Sequence, residues 1–397
     1  MTKSSEEKDE IVISYGGWYQ RTTLHLTEIY DFCHNGTSHL ALDKKQLQKF
    51  WRSLAIQTVT RQPGALEFVH IITTKRIVIR YYEDGLYVFE LSSTMKTLKK
   101  DQNMVEEYAH DIFAPAMNYI FSLGAPTPKI LANIPVKHPV VLRYLTDDLA
   151  VIPFSSRQIG DLYSTISVGN IVVHKTLSYI LIGAKPGTSH IQELVETYIF
   201  FREFKSQLEK YLSIHRTLWE KISDIKERKS LRVKELDHAR GILDGYQKTV
   251  TLIGSRMQQM GSYSATRRSL ARSLDIDETL RDLFSLKFET LQDTLEYVKE
   301  LWKMTIVYLQ TAISNISDIK GQGTQRGIQM LQVLTTVGAL NILIGLFTKK
   351  DLLIPTTYGI WYVLGVLLLS WCVMTGIGFI LKQKKYSLTF NDKNEDL

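Results

Sequence analysis

The stretch Asn341–Gly365, NILIGLFTKKDLLIPTTYGIWYVLG, sets two apolar runs on either side of a short polar insert, Thr348-Lys349-Lys350-Asp351. Followed outward, both runs are long. From Gly327 to Phe347 there are 21 residues without a formal charge, and from Tyr358 to Leu381 there are 24. A helix needs about 20 apolar residues to cross a hydrocarbon core, and in lipid it satisfies its own backbone. The pattern predicts two membrane-spanning helices, 327–347 and 358–381, joined by an extracytoplasmic loop at 348–357 that Pro355 keeps from being helical. The alternative, a helical hairpin buried in a soluble protein, is disfavoured because uncharged runs of this length are rare in soluble cores.

The basic residues orient the pair. Lys320 and Arg326 precede the first run, and Lys382, Lys384 and Lys385 follow the second, against Lys349 and Lys350 in the loop. The positive-inside rule places both flanks, and so both termini, in the cytoplasm. The expected location is the cytoplasmic membrane, with the lipid bilayer as a partner. A net charge of +7 suits work beside an anionic leaflet. No basic-aromatic module or zinc-finger spacing accompanies that charge, so no nucleic-acid partner is expected. The two cysteines, Cys33 and Cys372, offer no disulfide framework. Metalloprotease, P-loop and nucleophile-elbow motifs are absent, and the chain is not expected to be an enzyme.

Residues 1–10 are charged and expected to be loose. Residues 11–187 read as a mixed cytosolic domain, α+β or α/β. Strands are expected at Ile11–Tyr15, Phe68–Ile72, Ile77–Tyr82, Leu86–Leu91, Val140–Tyr144, Leu149–Phe154, Ile166–Val173 and Ser178–Ile182. Glu83-Asp84-Gly85 is a hairpin signal. Helices are expected at Asp43–Gln57, capped by Asp43, and at Gln102–Ser122, followed by a loop at Ala125–Pro128.

Beyond Gly187 the character changes, with long helices over 188–274 and a stalk over 275–326. The stalk repeats at spacings of four and three through Phe284, Phe288, Leu291, Leu295, Val298, Trp302, Thr305, Leu309, Ala312, Ile316 and Ile319. That is the 3.5-residue period of helices wound on one another, within the chain or between chains. The upstream helical region weakens at Glu227–Lys234, which favours two helices over one, and Gly261–Ser273 reads as the clearest break. The last helix is expected to start near Asp275, with Asp275 and Glu278 at capping-box spacing. Asp275, Asp277 and Asp282 are alternatively oxygen ligands for a divalent cation such as Mg2+.

Leu331-Gln332-Val333-Leu334-Thr335 is similar to the M-K-x-L-T that opens the first span of the CorA superfamily. Gly345-Leu346-Phe347 is similar to its G-I-Y, and Lys382-Gln383-Lys384-Lys385-Tyr386 to its basic-aromatic tail. By architecture the resemblance covers about residues 190–388. It implies a homo-oligomeric, pentameric ion channel or transporter whose cytosolic domain and stalk control gating. The family's G-M-N after the first span is replaced here by Thr348-Lys349-Lys350. A ring of lysines repels divalent cations, so magnesium selectivity of the family's kind is not carried over. Divergent relatives imply an alternative, a membrane effector switched by a nucleotide-like second messenger.

At the entry to the first span and within it, Gln325, Gln329, Gln332 and Thr336 share one helical face, which in an oligomer is the candidate pore wall. The alternative is that they hydrogen-bond between neighbouring helices. Lys349, Lys350 and Asp351 would form the pore entrance. Gly321, Gly323 and Gly327 are a candidate hinge, since three glycines weaken a helix by about 2–3 kcal/mol against alanine. Arg76, Arg80, Arg143 and Arg157, on or beside strand-like runs, are a candidate patch for a phosphorylated ligand.

Overall fold

The computed structural model describes residues 11–19, 25–121, 139–226, 230–348 and 385–387, with isolated positions between 365 and 376. The expected tail 1–10, the Ala125–Pro128 loop, the Lys349–Asp351 loop and most of the second uncharged run lie outside the described residues. The protein combines an N-terminal sheet with long helices, an α+β organisation. Among the described residues no helix is long and apolar enough to cross a membrane. The chain folds as two compact units, the first of residues 1–214 and 252–300, the second of residues 215–251 and 301–397.

The first unit is built on a nine-stranded sheet. Its strands are β1 (Ile11–Trp18), β2 (Ile56–Gln62), β3 (Phe68–Thr73), β4 (Val78–Tyr82), β5 (Leu86–Ser93), β6 (Val140–Leu145), β7 (Ser164–Val168), β8 (Ile171–Lys175) and β9 (Tyr179–Ala184). They lie in the order β2-β3-β4-β5-β1-β6-β9-β8-β7. Every neighbouring pair is antiparallel except β6 and β9. Strand alternation sorts the side chains into two faces. Val69, Ile71, Ile79, Tyr81, Phe89 and Leu91 pack on one face against helices α1 (Leu26–Asn35), α2 (Lys44–Ser53), α3 (Leu98–Glu107) and α4 (Ala114–Ile120). Asp43 caps α2, its carboxylate accepting from the Gln46 amide at 2.7 Å. A π-helical turn, Tyr108–Phe113, joins α3 to α4, next to Pro115, which cannot donate to the helical ladder.

Several local expectations are corrected. The helix at Asp43 stops at Ser53, because Ala55 turns left-handed (φ 48°) and the chain enters β2. Leu149–Phe154 forms no strand: Thr146 and Asp148 tie the segment into side-chain-to-backbone turns. Ile166–Val173 is two strands, folded back at Gly169 (φ 54°). A short α5 (Ser156–Ile159) precedes β7.

The long helices are α6 (Ile191–Lys226), α7 (Val233–Ser273), α8 (Asp277–Phe284) and α9 (Phe288–Thr348). Gly261–Ser273, expected to break, is helical to its end, and the hydroxyls of Ser264 and Thr266 fold back onto carbonyls one turn earlier instead of competing with the helix. The break falls later. Asp275 has a positive φ of 58° and caps nothing, and Ser285 (φ 55°) ends α8, so the last helix begins at Phe288. In the second unit the stalk seam is filled from within the chain. Trp302, Thr305, Leu309, Ala312 and Ile316 of α9 are buried there, with Leu218 and Ile222 of α6 and Leu236 and Leu243 of α7. Strand β10 (Ser230–Arg232), between α6 and α7, pairs antiparallel with β11 (Lys385–Ser387).

Candidate functional site

On the sheet face opposite the α1–α4 helices, the first unit buries charge. Alternation in β4 turns Arg80 and Tyr82 toward α6, where Glu196 waits. Arg80 Nε lies 2.5 Å from Glu196 and its Nη2 lies 2.6 Å from Glu90 of β5. The Tyr82 hydroxyl donates to Glu196, and Gln192 donates to the same carboxylate at 3.3 Å. Burial lowers Arg80, but Glu196 and Glu90 more than offset this and hold it above its ordinary value. Burial pushes the Glu196 carboxyl up, against the pull of Arg80 and Tyr82. Three donors, from Arg80, Tyr82 and Gln192, converge on the Glu196 carboxylate. Beside this group Arg267 of α7 grips Asp84 through Nε (2.6 Å) and Nη2 (3.1 Å), and stacks over Tyr82 at 4.5 Å. Both partners are fully buried.

A cleft of about 380 Å³ opens in the same unit between α6, the end of α7 and the start of α9. Phe201, Phe204 and Phe288 form its apolar wall, with Ser264, Arg268 and Arg272 among its polar lining. Arg268 lies 5.4 Å over the Phe288 ring and is ion-paired with Glu289, while its Nε has no protein acceptor. Arg272 sits 3.7 Å from Asp277.

The four arginines expected to form a ligand patch are not gathered. Arg80 is buried and spent on Glu90 and Glu196, and Arg143 shares Glu90 at 3.7 Å. Arg76 is exposed at the β3–β4 turn with φ 62°, and Arg157 is exposed on α5. Among the described residues no group of three His, Cys, Asp or Glu side chains is placed to hold a metal. Asp275 and Asp282 are exposed, and Asp277 faces Arg272. Five positions separate Asp277 from Asp282 on α8, which turns them away from one another.

In the second unit, α9 runs unbroken through Gly321, Gly323 and Gly327. A Cβ on Gly321 would meet nothing within 4 Å in its own chain. Gln325, Gln329, Gln332 and Thr336 are all exposed. Two of them, Gln325 and Gln332, also belong to a longer exposed stripe: Met304, Val307, Thr311, Ser314, Asp318, Gly321, Gln325, Ile328, Gln332 and Thr335 recur at alternating spacings of three and four. This second seam lies opposite the buried one. Sequence reading missed it because its members are mostly small or polar, and only their exposure beside a filled apolar seam reveals it. Arg267 and Glu196 were missed for a related reason: a lone charge inside a helical pattern reads as a solvated face. Compared with protein-family models, curated proteins and solved structures, the chain matches none.

Proposed function

We propose that this chain is a homo-oligomeric ion channel of the CorA-like kind in the cytoplasmic membrane, with α9 lining the conduit and the sheet domain controlling its opening. The observation that carries the reading is the exposed face Gln325, Gln329, Gln332 and Thr336 on a helix that continues into a 21-residue charge-free run. Polar side chains in such a run need protein or water beside them, not lipid. The resemblance of Leu331–Thr335 and Lys382–Tyr386 to CorA motifs supports it. Lys349 and Lys350 at the mouth would disfavour divalent cations, since charged rings set selectivity.

Reconstituted liposomes test it. Ion flux is expected from the full chain, and Gln332→Leu is expected to cut flux several-fold by removing a polar group from the water-facing wall. A chain that stays dissolved without detergent, or one that passes no monovalent ion in any orientation, overturns the proposal.

A second reading, the ligand-switched membrane effector, is favoured by the cleft at Arg268. An arginine over an aromatic ring, its Nε without a protein acceptor, in a cleft also lined by Ser264 and Ser269, suits a phosphorylated aromatic ligand. Flux that appears only when adenine nucleotides are added, and that Arg268→Ala abolishes, would favour this reading over a constitutive channel.

A further inference from the structure

Arg267 and Arg268 are neighbours on α7, and their guanidinium groups are used differently. The side edge of Arg267, Nε with Nη2, is filled by both oxygens of one carboxylate, Asp84. The same edge of Arg268 is half used. Its Nη2 donates to Glu289, and its Nε is buried without a protein acceptor. Two parallel N–H groups match a carboxylate or a phosphate best when both are taken. Glu289 is exposed and holds only one of them, and exposed ion pairs are weak. The cleft beside this edge selects by charge and by shape. Its lining includes Arg268 and Arg272 and no carboxylate, which favours an anion over a cation. Ser264 already donates to the Gly261 carbonyl and Gln292 to Glu296, which leaves recognition chiefly to the arginines. Phe201 lies edge-on to Phe288 at 4.8 Å in the apolar wall, and about 380 Å³ admits an aromatic body.

We propose that the Nε–Nη2 edge of Arg268 anchors the phosphate of an aromatic phosphate in this cleft, and that Glu289 is a built-in competitor for that edge, displaced when the phosphate takes both donors. This role for Glu289 rests on the second reading above, in which the cleft takes a phosphorylated aromatic ligand, and needs nothing from the uncharged runs. Glu289 lies in the first turn of α9, so the exchange also changes what ties that helix to α7.

Calorimetric titration of naphthyl phosphate into the full chain in detergent tests this. Glu289→Gln is expected to tighten binding about three- to fivefold, the worth of an exposed ion pair. Arg268→Lys, which keeps the charge and loses the fork, is expected to weaken it about tenfold. Naphthol and inorganic phosphate, the two halves of the probe, are each expected to bind more weakly than the whole. Melting curves that match the parent's show that both variants fold. Binding that Glu289→Gln leaves unchanged or weakens overturns the competitor, and binding that Arg268→Lys leaves unchanged overturns the anchor; either result spares the ligand reading. No binding to the parent or to Glu289→Gln overturns both the proposal and that reading.

Discussion

At the scale of single residues, the first unit is locked by charges placed where water cannot reach them. Arg267 and Asp84 have no solvent to fall back on, so removing one strands the other. Breaking a buried pair typically costs about 3–5 kcal/mol. Arg267→Ala is therefore expected to lower the unfolding free energy of the sheet domain, read from urea titration, by that order, whereas Arg268→Ala, in the cleft, changes it by no more than about 1 kcal/mol. Equal effects would show that the Asp84 grip contributes nothing special. His174 behaves differently. Its Nδ1 lies 2.9 Å from Thr165 Oγ1, its Nε2 is buried without a partner, and burial lowers its pKa below 6.5. A group that folds better uncharged holds its stability above its unfolded pKa and loses it as pH falls through that value. Unfolding midpoints measured at about pH 7.5 and about pH 5 should fall on acidification, and His174→Asn should flatten part of the slope. A slope unchanged by the substitution rules His174 out as its source.

At the scale of elements, the surest features were those with a short-range cause. Asp43 caps α2 as its spacing foretold, and Asp43→Ala is expected to cost about 1 kcal/mol, read as a drop of a few degrees in melting temperature. No drop would mean that the cap is satisfied by water. The hairpin at Gly85 and strands β3, β4 and β5 were legible for the same reason, since alternation and a turn residue are local. What failed needed distant partners. β2 was hidden because Ile56–Gln62 follows a helical stretch without a proline or glycine, and only its pairing with β3 makes it a strand. The turn at Gly169 was hidden inside a β-branched run. The arginine patch dissolved because sequence cannot say that Glu90 and Glu196 converge on Arg80. A continuous apolar run marked Leu149–Phe154 as a strand, but no neighbour in the sheet takes it.

At the scale of the whole molecule, the sequence yields one apolar helical seam and the structure two seams, one filled and one open. The open seam carries a single ionisable residue below Met304, Asp318. Self-association through it would bring one Asp318 carboxylate from each copy toward a common axis. Like charges in that position oppose assembly, and the opposition weakens as salt shortens the range of the field. Asp318→Asn is therefore expected to tighten the oligomer several-fold at low ionic strength, with the difference shrinking in high salt. The measurement is the mass of the detergent-solubilised particle on serial dilution, for the parent chain and for Asp318→Asn, at two salt concentrations. If the parent dissociates at the same dilution as Asp318→Asn under both conditions, Asp318 is remote from any copy and the seam does not meet its counterpart at that level. If Asp318→Asn instead loosens the particle, the carboxylate is engaged by a cation or a basic partner across the interface, and the open seam would then hold its copies together through that bridge instead of against it.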